Sequence, residues 1–401
     1  MEPQLSDVWL PTGVHREPNT ERPFYTFLLK VAARCNLDCT YCYVYSGPDQ
    51  SWRDRPRFMS REVASRAAEA IATHVDKHGV SDIVVVFHGG EPLLAGPERL
   101  DEYCRLVRSI VPAKVEFGVQ TNATLLSPEI LRVLETHDVR IGISIDGSQS
   151  ANDAHRRFVN GRSSYARVVQ GINLLRSRPE WNRLFGGFLA VIDLQNDPSA
   201  VYEALVSLGA RSLDVLLPDS HHDAPPPRPL GKAGRVAYGR WLSRLFDTWL
   251  DSQQNIEIRY FEEIIALLLG GRSSLESIGA KSVDLIVIES DGDIEAVDTL
   301  KMVGRHVTDL GLNIFKNSLD DALAHPAVHS RMLGFKALCA TCQSCSEVNY
   351  CGGGYLPHRY GRGNGFVNPS TYCDDLKYLI SHVRDRIRSP LTSAMQQMKV
   401  S

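Results

Sequence analysis

A chain of 401 residues, 43% hydrophobic and 23% charged, carries enough apolar side chains for one or two packed domains. Its formal net charge of −3 supplies no global basic field, which sets aside nucleic acid and anionic membrane as partners on charge alone. No run approaches the roughly 20 apolar residues that cross a bilayer, and the start at Met1-Glu2-Pro3-Gln4 lacks the basic flank and apolar core of a signal peptide. A cytoplasmic protein with neither nucleic-acid nor membrane partner is expected.

Residues 1–24 read as an N-terminal extension. Strands are then expected at Phe24–Ala32, Ile83–Phe87, Lys114–Val119, Val139–Ile145, Phe185–Ile192 and Leu213–Leu217. Helices are expected between them at Arg61–His78, Glu98–Ile110, Pro128–Thr136, Tyr165–Ser177 and Ser199–Leu208. This alternation implies a parallel sheet with crossover helices, and six repeats curve into a partial (β/α)6, TIM-like barrel over 25–228, with its chemistry in the loops after the strands. The Pro-rich stretch Ala224–Pro229 reads as a stiff connector. A helical bridge over 229–280 follows, with helices at Arg235–Asp251 and Glu262–Leu269. The segment 281–401 reads as a cysteine-rich domain, with a hairpin at Val283–Val297 turning on Asp291-Gly292 and a closing helix at Asp374–Arg388.

Nine cysteines fall into two tight groups with only Cys104 outside them, and in a reducing compartment such groups read as metal ligands. Cys104, on an amphipathic helix, reads as a buried small hydrophobe. Cys35, Cys39 and Cys42, spaced C-x3-C-x2-C, lie just after the first strand, at the barrel mouth. Three thiolates can ligate three irons of a [4Fe–4S] cluster and leave the fourth open to chelate a substrate. A structural zinc site completed by a histidine is the alternative that spacing leaves open.

The segment RCNLDCTYCY, with Tyr41 before the last cysteine, resembles the radical S-adenosylmethionine (SAM) superfamily, and four further segments match in chain order. His88-Gly89-Gly90-Glu91-Pro92 resembles the turn whose backbone meets the SAM amino group. Gln120-Thr121-Asn122 follows the third strand, and Ser144-Ile145-Asp146-Gly147 with Arg156 resembles the pattern that binds the SAM carboxylate and ribose. Leu189 and Val191 would pack on adenine. The resemblance implies a first [4Fe–4S] cluster with an open site for SAM.

Cys339, Cys342, Cys345, Cys351 and Cys373 resemble an incomplete SPASM extension, whose full form carries seven cysteines and two auxiliary clusters. Cys342, Cys345, Cys351 and Cys373 match the outer ligand set. The inner set is missing: the hairpin has no cysteine, and Tyr355 stands where one would lie. One auxiliary [4Fe–4S] cluster is therefore implied, with Cys339 spare or an alternative ligand. A zinc ribbon remains open on spacing alone.

Cys42-Tyr43-Val44-Tyr45, Gln50–Arg53, Leu216-Leu217-Pro218, Cys351–Tyr360, Gly365-Phe366 and Asn368-Pro369-Ser370 resemble the FxsB-type radical SAM/SPASM maturases. That likeness implies a ribosomally made precursor peptide as substrate and an electron donor such as a flavodoxin or ferredoxin. The implied reaction is a three-residue cyclophane, formed when a 5′-deoxyadenosyl radical takes hydrogen from a peptide β-carbon and that carbon adds to an aromatic ring. Side-chain oxidation, thioether formation and epimerisation use the same radical, and a zinc or Fe–S scaffold is the non-enzymatic alternative. The base is not identified. Asp214, Asp219, His221 and His222 are candidates, as are His358, Arg359 and Tyr360. The N-terminal stretch is too short for a leader-binding module, so leader recognition falls to a separate protein, to the second domain, or is unnecessary.

Overall fold

A computed structural model describes residues 9–11 and 22–398, with side chains to 388. The N-terminal extension over 1–24 thus lies mostly outside the described residues. The alternation runs β1 (Thr26–Ala32), α1 (Arg61–His78), β2 (Asp82–Gly89), α2 (Gly96–Ile110), β3 (Lys114–Thr121), α3 (Pro128–Thr136), β4 (Val139–Ser144), α4 (Gln149–His155), α5 (Tyr165–Arg176), β5 (Phe185–Val191), α6 (Pro198–Ser207) and β6 (Ser212–Leu216). Then come α7 (Ala237–Leu250), β7 (Glu257–Ile258), α8 (Arg259–Leu268), β8 (Leu285–Ile288), β9 (Asp293–Glu295), β10 (Asp309–Asn313) and α9 (Cys373–Met398), with shorter helical turns elsewhere. The fold class is α/β, as the alternation predicts.

Two compact units share the chain: His15–Ala190 with Val283–Met332, and Met1–Val14 with Val191–Ser282 and Leu333–Ser401. In the first unit, strands lie in the order β10-β9-β8-β1-β2-β3-β4-β5. β1 pairs in parallel with both β2 and β8, while β9 and β10 run antiparallel to their neighbours. β1 is therefore interior, and its continuous apolar run TFLLKVA is buried from Phe27 onward. Helix ends follow local chemistry. The Ser60 hydroxyl accepts the Val63 N–H (3.1 Å) at the start of α1, Gly79 ends it at φ +61°, and Ser127 caps α3 ahead of Pro128. The hairpin turns on Gly292 at φ +90°. β10 is only five residues long, with Leu310 and Leu312 on either side of Gly311 at φ +66°, too short an alternation to mark a strand in the sequence.

In the second unit β6 and β7 pair in parallel, and α9 packs on α7 and α8. The fully buried Asp375 carboxylate of α9 accepts the Gly239 N–H (2.8 Å) and pairs with Arg228 (2.5 Å). Arg228 thus ties the Pro-rich stretch to α9.

Candidate active site

In the first unit, Cys35, Cys39 and Cys42 lie in the loop leaving β1, half-buried and reduced. The loop folds on its own backbone: Leu37 N–H donates to Cys35 Sγ (3.4 Å) and Cys42 N–H to the Cys39 carbonyl (3.1 Å). Burial, then Glu91, pushes Cys35 up to about 12; burial outweighs Arg156 and pushes Cys39 up to about 11; burial also raises Cys42. Three thiolates are stable together here only around a shared cation, so the donor set fits a metal group.

Among the described residues, the group whose ligand atoms all lie within 4.8 Å is His74, His78 and Asp320, not either cysteine group. That trio has a different explanation. His74 Nε2 accepts the Phe24 N–H (2.9 Å), so the neutral ring carries its proton on Nδ1 and donates it to Asp320 (2.5 Å).

The turn after β2 presses on the cysteine loop. A side chain at Gly89 would strike the Ala32 carbonyl, and one at Gly90 the Tyr45 hydroxyl and the Arg34 carbonyl, so glycine permits this approach. Glu91 is buried and accepts from Thr121 Oγ1 (2.6 Å), Asn122 N–H (2.8 Å) and Leu93 N–H (3.1 Å). It braces the turn against the end of β3, and Pro92 is buried behind it. Asn122 Nδ2 reaches Asn36 Oδ1 (2.9 Å) and Cys35 Sγ (3.9 Å). Gln120 Nε2 donates to Ser144 Oγ (2.9 Å). The Tyr41 hydroxyl donates to Asp146 (2.7 Å) and accepts from buried Arg156 (2.9 Å), whose Nε lacks a partner. An unmet guanidinium donor next to such a pair is set to receive an oxygen-rich or anionic ligand. Leu189 and Val191 are half-buried on β5.

Sequence reasoning missed a buried group beside this loop. Lys30 of β1 bonds Asp298 and lies 3.2 Å from His88 Nδ1, and the Tyr43 hydroxyl donates to Asp298 (2.9 Å). Burial opposes ionisation of Asp298, yet Lys30 and His88 hold its carboxyl well below the usual range. Burial, then Lys30, pushes half-buried His88 down to about 4. A lysine inside an otherwise apolar strand was the available signal. A second ionic layer fills the cysteine-free hairpin: Lys301 with Glu289 (2.7 Å) and Glu295 (2.9 Å), and Arg55 with Asp291 (2.5 Å), Asp293 (2.9 Å) and Glu295 (2.6 Å).

In the second unit, Cys339 precedes the turn Ala340–Gln343 that carries Cys342, Cys345 follows it, Cys351 ends Val348–Cys351, and Cys373 opens α9. Gly352, Gly353 and Gly354 take φ of +64°, +80° and +68°, and a side chain at Gly352 would strike the Ala280 backbone nitrogen. Their carbonyls accept from the buried Arg359 guanidinium at 3.2, 3.0 and 2.5 Å. Burial pushes Cys342 up to about 12 and Cys351 up to about 11, and lowers Arg359 against the pull of those same thiols. A buried cation beside thiols that resist ionisation fits an anionic metal–thiolate group. Cys339 is buried against Cys342. Cys104 is fully buried on α2.

The base candidates separate. Both oxygens of Asp214 are engaged, by Arg259 (3.1 Å) and by the N–H groups of Val215 (3.1 Å) and Tyr260 (3.3 Å). His221 accepts the Asp223 N–H (3.2 Å) and abuts the Tyr360 ring, His222 bonds the Pro369 carbonyl (2.8 Å), and Asp219 is half-buried. His358 is buried between the Tyr355 and Tyr372 rings, its Nε2 without a partner, and burial pushes it down to about 3.

The radical SAM superfamily profile matches residues 29–188. The chain is 27% identical over 368 residues, 87% of its length and 83% of the relative's, to a serine-type anaerobic sulfatase-maturating enzyme of Klebsiella aerogenes. Its fold matches anSMEcpe with bound AdoMet and the Cp18Cys peptide at a TM-score of 0.77 and 21% identity, covering 92% of this chain and 99% of that one. It also matches Streptococcus suis SuiB bound to the precursor peptide SuiA, at 0.57 and 14%, covering 88% and 76%. No helix among the described residues is long and apolar enough to cross a membrane. The cysteine loop, the glycine turn pressed against it and the profile match agree: residues 29–188 form a domain similar to the radical SAM superfamily.

Proposed function

We propose that this chain is a polypeptide maturase that removes a hydrogen atom from a substrate β-carbon and joins that carbon to an aromatic ring of a precursor peptide. The observation that carries the reading is the loop of Cys35, Cys39 and Cys42, locked against Gly89-Gly90 and Asn122 in a domain that matches the superfamily. A [4Fe–4S] cluster on these thiols supplies, with bound SAM, a 5′-deoxyadenosyl radical. Tyr41, Asp146 and Arg156 hold the polar end of SAM, Gly90 brings backbone groups to it, and Leu189 and Val191 bound the adenine. Cys342, Cys345, Cys351 and Cys373 would hold one auxiliary cluster, which would take the electron that the substrate releases together with a proton. Asp298 accepts the proton that the substrate releases: it is buried and ionised, and Lys30 and Tyr43 fix its position.

A second reading, oxidation of a side chain to an aldehyde, is favoured by the match to the Klebsiella sulfatase maturase over 87% of this chain. Both outcomes remove two hydrogens from the substrate, so fragmentation and carbonyl trapping must separate them. Anaerobic reconstitution is expected to give about eight irons per chain, and a co-expressed precursor peptide is expected to lose two hydrogens within a three-residue window. A hydrazine-reactive product would select oxidation instead, and absence of 5′-deoxyadenosine would sink both. Asp298→Asn is expected to keep 5′-deoxyadenosine release while product formation falls by about 10²–10⁴-fold.

A further inference from the structure

Tyr45 lies three residues past Cys42, and neither the fold nor the proposed chemistry uses its hydroxyl. The ring is fixed edge-on to Trp52 (centroids 4.8 Å apart, 76° between planes). Trp52 is in turn covered by the guanidinium groups of Arg34 and Arg53 at 5.1 and 4.7 Å, and Arg34 is anchored on the Trp52 carbonyl (2.6 Å). The hydroxyl is shut off from solvent and meets Gly90, yet makes no hydrogen bond. A side chain at Gly90 would meet both this hydroxyl and the Arg34 carbonyl, so the hydroxyl lies beside the backbone that leads into Cys35. A buried donor without an acceptor is costly, and the acceptors that a bound cluster would bring to that side are sulfur atoms.

We propose that the Tyr45 hydroxyl donates a hydrogen bond to the sulfur shell of the cluster held by Cys35, Cys39 and Cys42, and so raises its reduction potential. The proposal rests on the reading that this trio holds a cluster. A donor to sulfur disperses the negative charge that reduction adds, which favours the reduced state. Tyr45 is thus a positioning and tuning residue. Its hydroxyl and the Arg34 carbonyl together explain why position 90 admits only glycine.

The test uses the full chain, reconstituted anaerobically, as wild type and as Tyr45→Phe, which keeps the ring and its Trp52 contact. With iron content equal, a redox titration followed by electron paramagnetic resonance without SAM is expected to show the variant's first cluster about tenfold harder to reduce at a fixed potential, about 59 mV more negative for one electron. An unmoved potential would overturn the proposal. So would an unmoved potential combined with weaker SAM binding, since the hydroxyl would then serve SAM. Trp52→Phe retains the hydroxyl and is expected to leave the potential in place; a shift equal to that of Tyr45→Phe would assign the effect to packing and overturn the proposal. Should Tyr45→Phe lose its iron, the wild type in D2O still decides. In a 15N-labelled chain, an exchangeable proton coupled to the cluster but not attached to nitrogen is expected, which sets aside the Leu37 and Asn122 N–H groups, and its absence is contrary evidence enough. Absence of iron at the trio in the wild type would sink the site assignment itself and this proposal with it.

Discussion

The two cysteine regions solve the same problem, holding thiolates inside a protein, from opposite starting points. In the first unit the sheet makes the platform: β1 is buried by its neighbours whether or not a metal binds, and the loop bearing Cys35, Cys39 and Cys42 merely leaves its end. In the second unit the cysteines sit on single-turn helices and around three glycines in the left-handed region, with a buried Arg359 that donates to their carbonyls. Within that stretch no long helix forms before α9, although the Val348–Cys351 turn packs on α8 and α9. A metal would thus be a guest in the first region and part of the framework in the second.

The sharpest way to break this contrast is to remove thiols from each. Replacing Cys35, Cys39 and Cys42 by Ala is expected to abolish 5′-deoxyadenosine production while the melting transition barely moves. Replacing Cys342 and Cys351 by Ala is expected to lose the second unit's iron and about 4 kcal/mol or more of stability, the class of effect seen when a structural metal is lost. Iron content and denaturant unfolding on both variants check it, and equal destabilisation would dissolve the distinction. Arg359→Met probes the same contrast more gently. It strips three buried carbonyls of their donor and should cost about 3 kcal/mol, read from the same unfolding curves. A wild-type unfolding curve would mean that the glycine run holds its shape unaided.

The contrast also explains what the sequence could reveal. β2, β3 and β4 alternate with period 2, β1 is a short apolar run, and the long helices follow period 3.6 with caps such as Ser60 and Ser127, so α1 and α3 begin and end at the residues expected. The glycine turn after β2 was legible as a motif, but not the role of Glu91, because hydrogen bonding to Thr121 and Asn122 arises only when β2 and β3 lie side by side. Asp298 was illegible for the same reason. Its partners Lys30, Tyr43 and His88 come from three distant segments, and only the parallel pairing of β8 with β1 brings the hairpin to them. Arg359 was visible only as a basic residue near a cysteine, since its partners are backbone carbonyls that no pattern of side chains reports.

The smallest expected effect tests how dry the second region is. Burial pushes His358 down to about 3 in the folded chain, against about 6.5 for an ordinary histidine. Below pH 6.5 the unfolded chain takes up a proton that the folded chain refuses, so stability is full above that pH and is lost as pH falls, by up to about 1.4 kcal/mol per pH unit. Between pH 7 and pH 5 this amounts to about 2 kcal/mol. His358→Phe fills the slot between Tyr355 and Tyr372 with a ring that cannot charge, so its unfolding free energy should fall less over that interval, by about the same amount. Equal slopes in the two proteins would mean that water reaches His358, and a wet ring so near Arg359 would weaken the case that the region is closed around its metal.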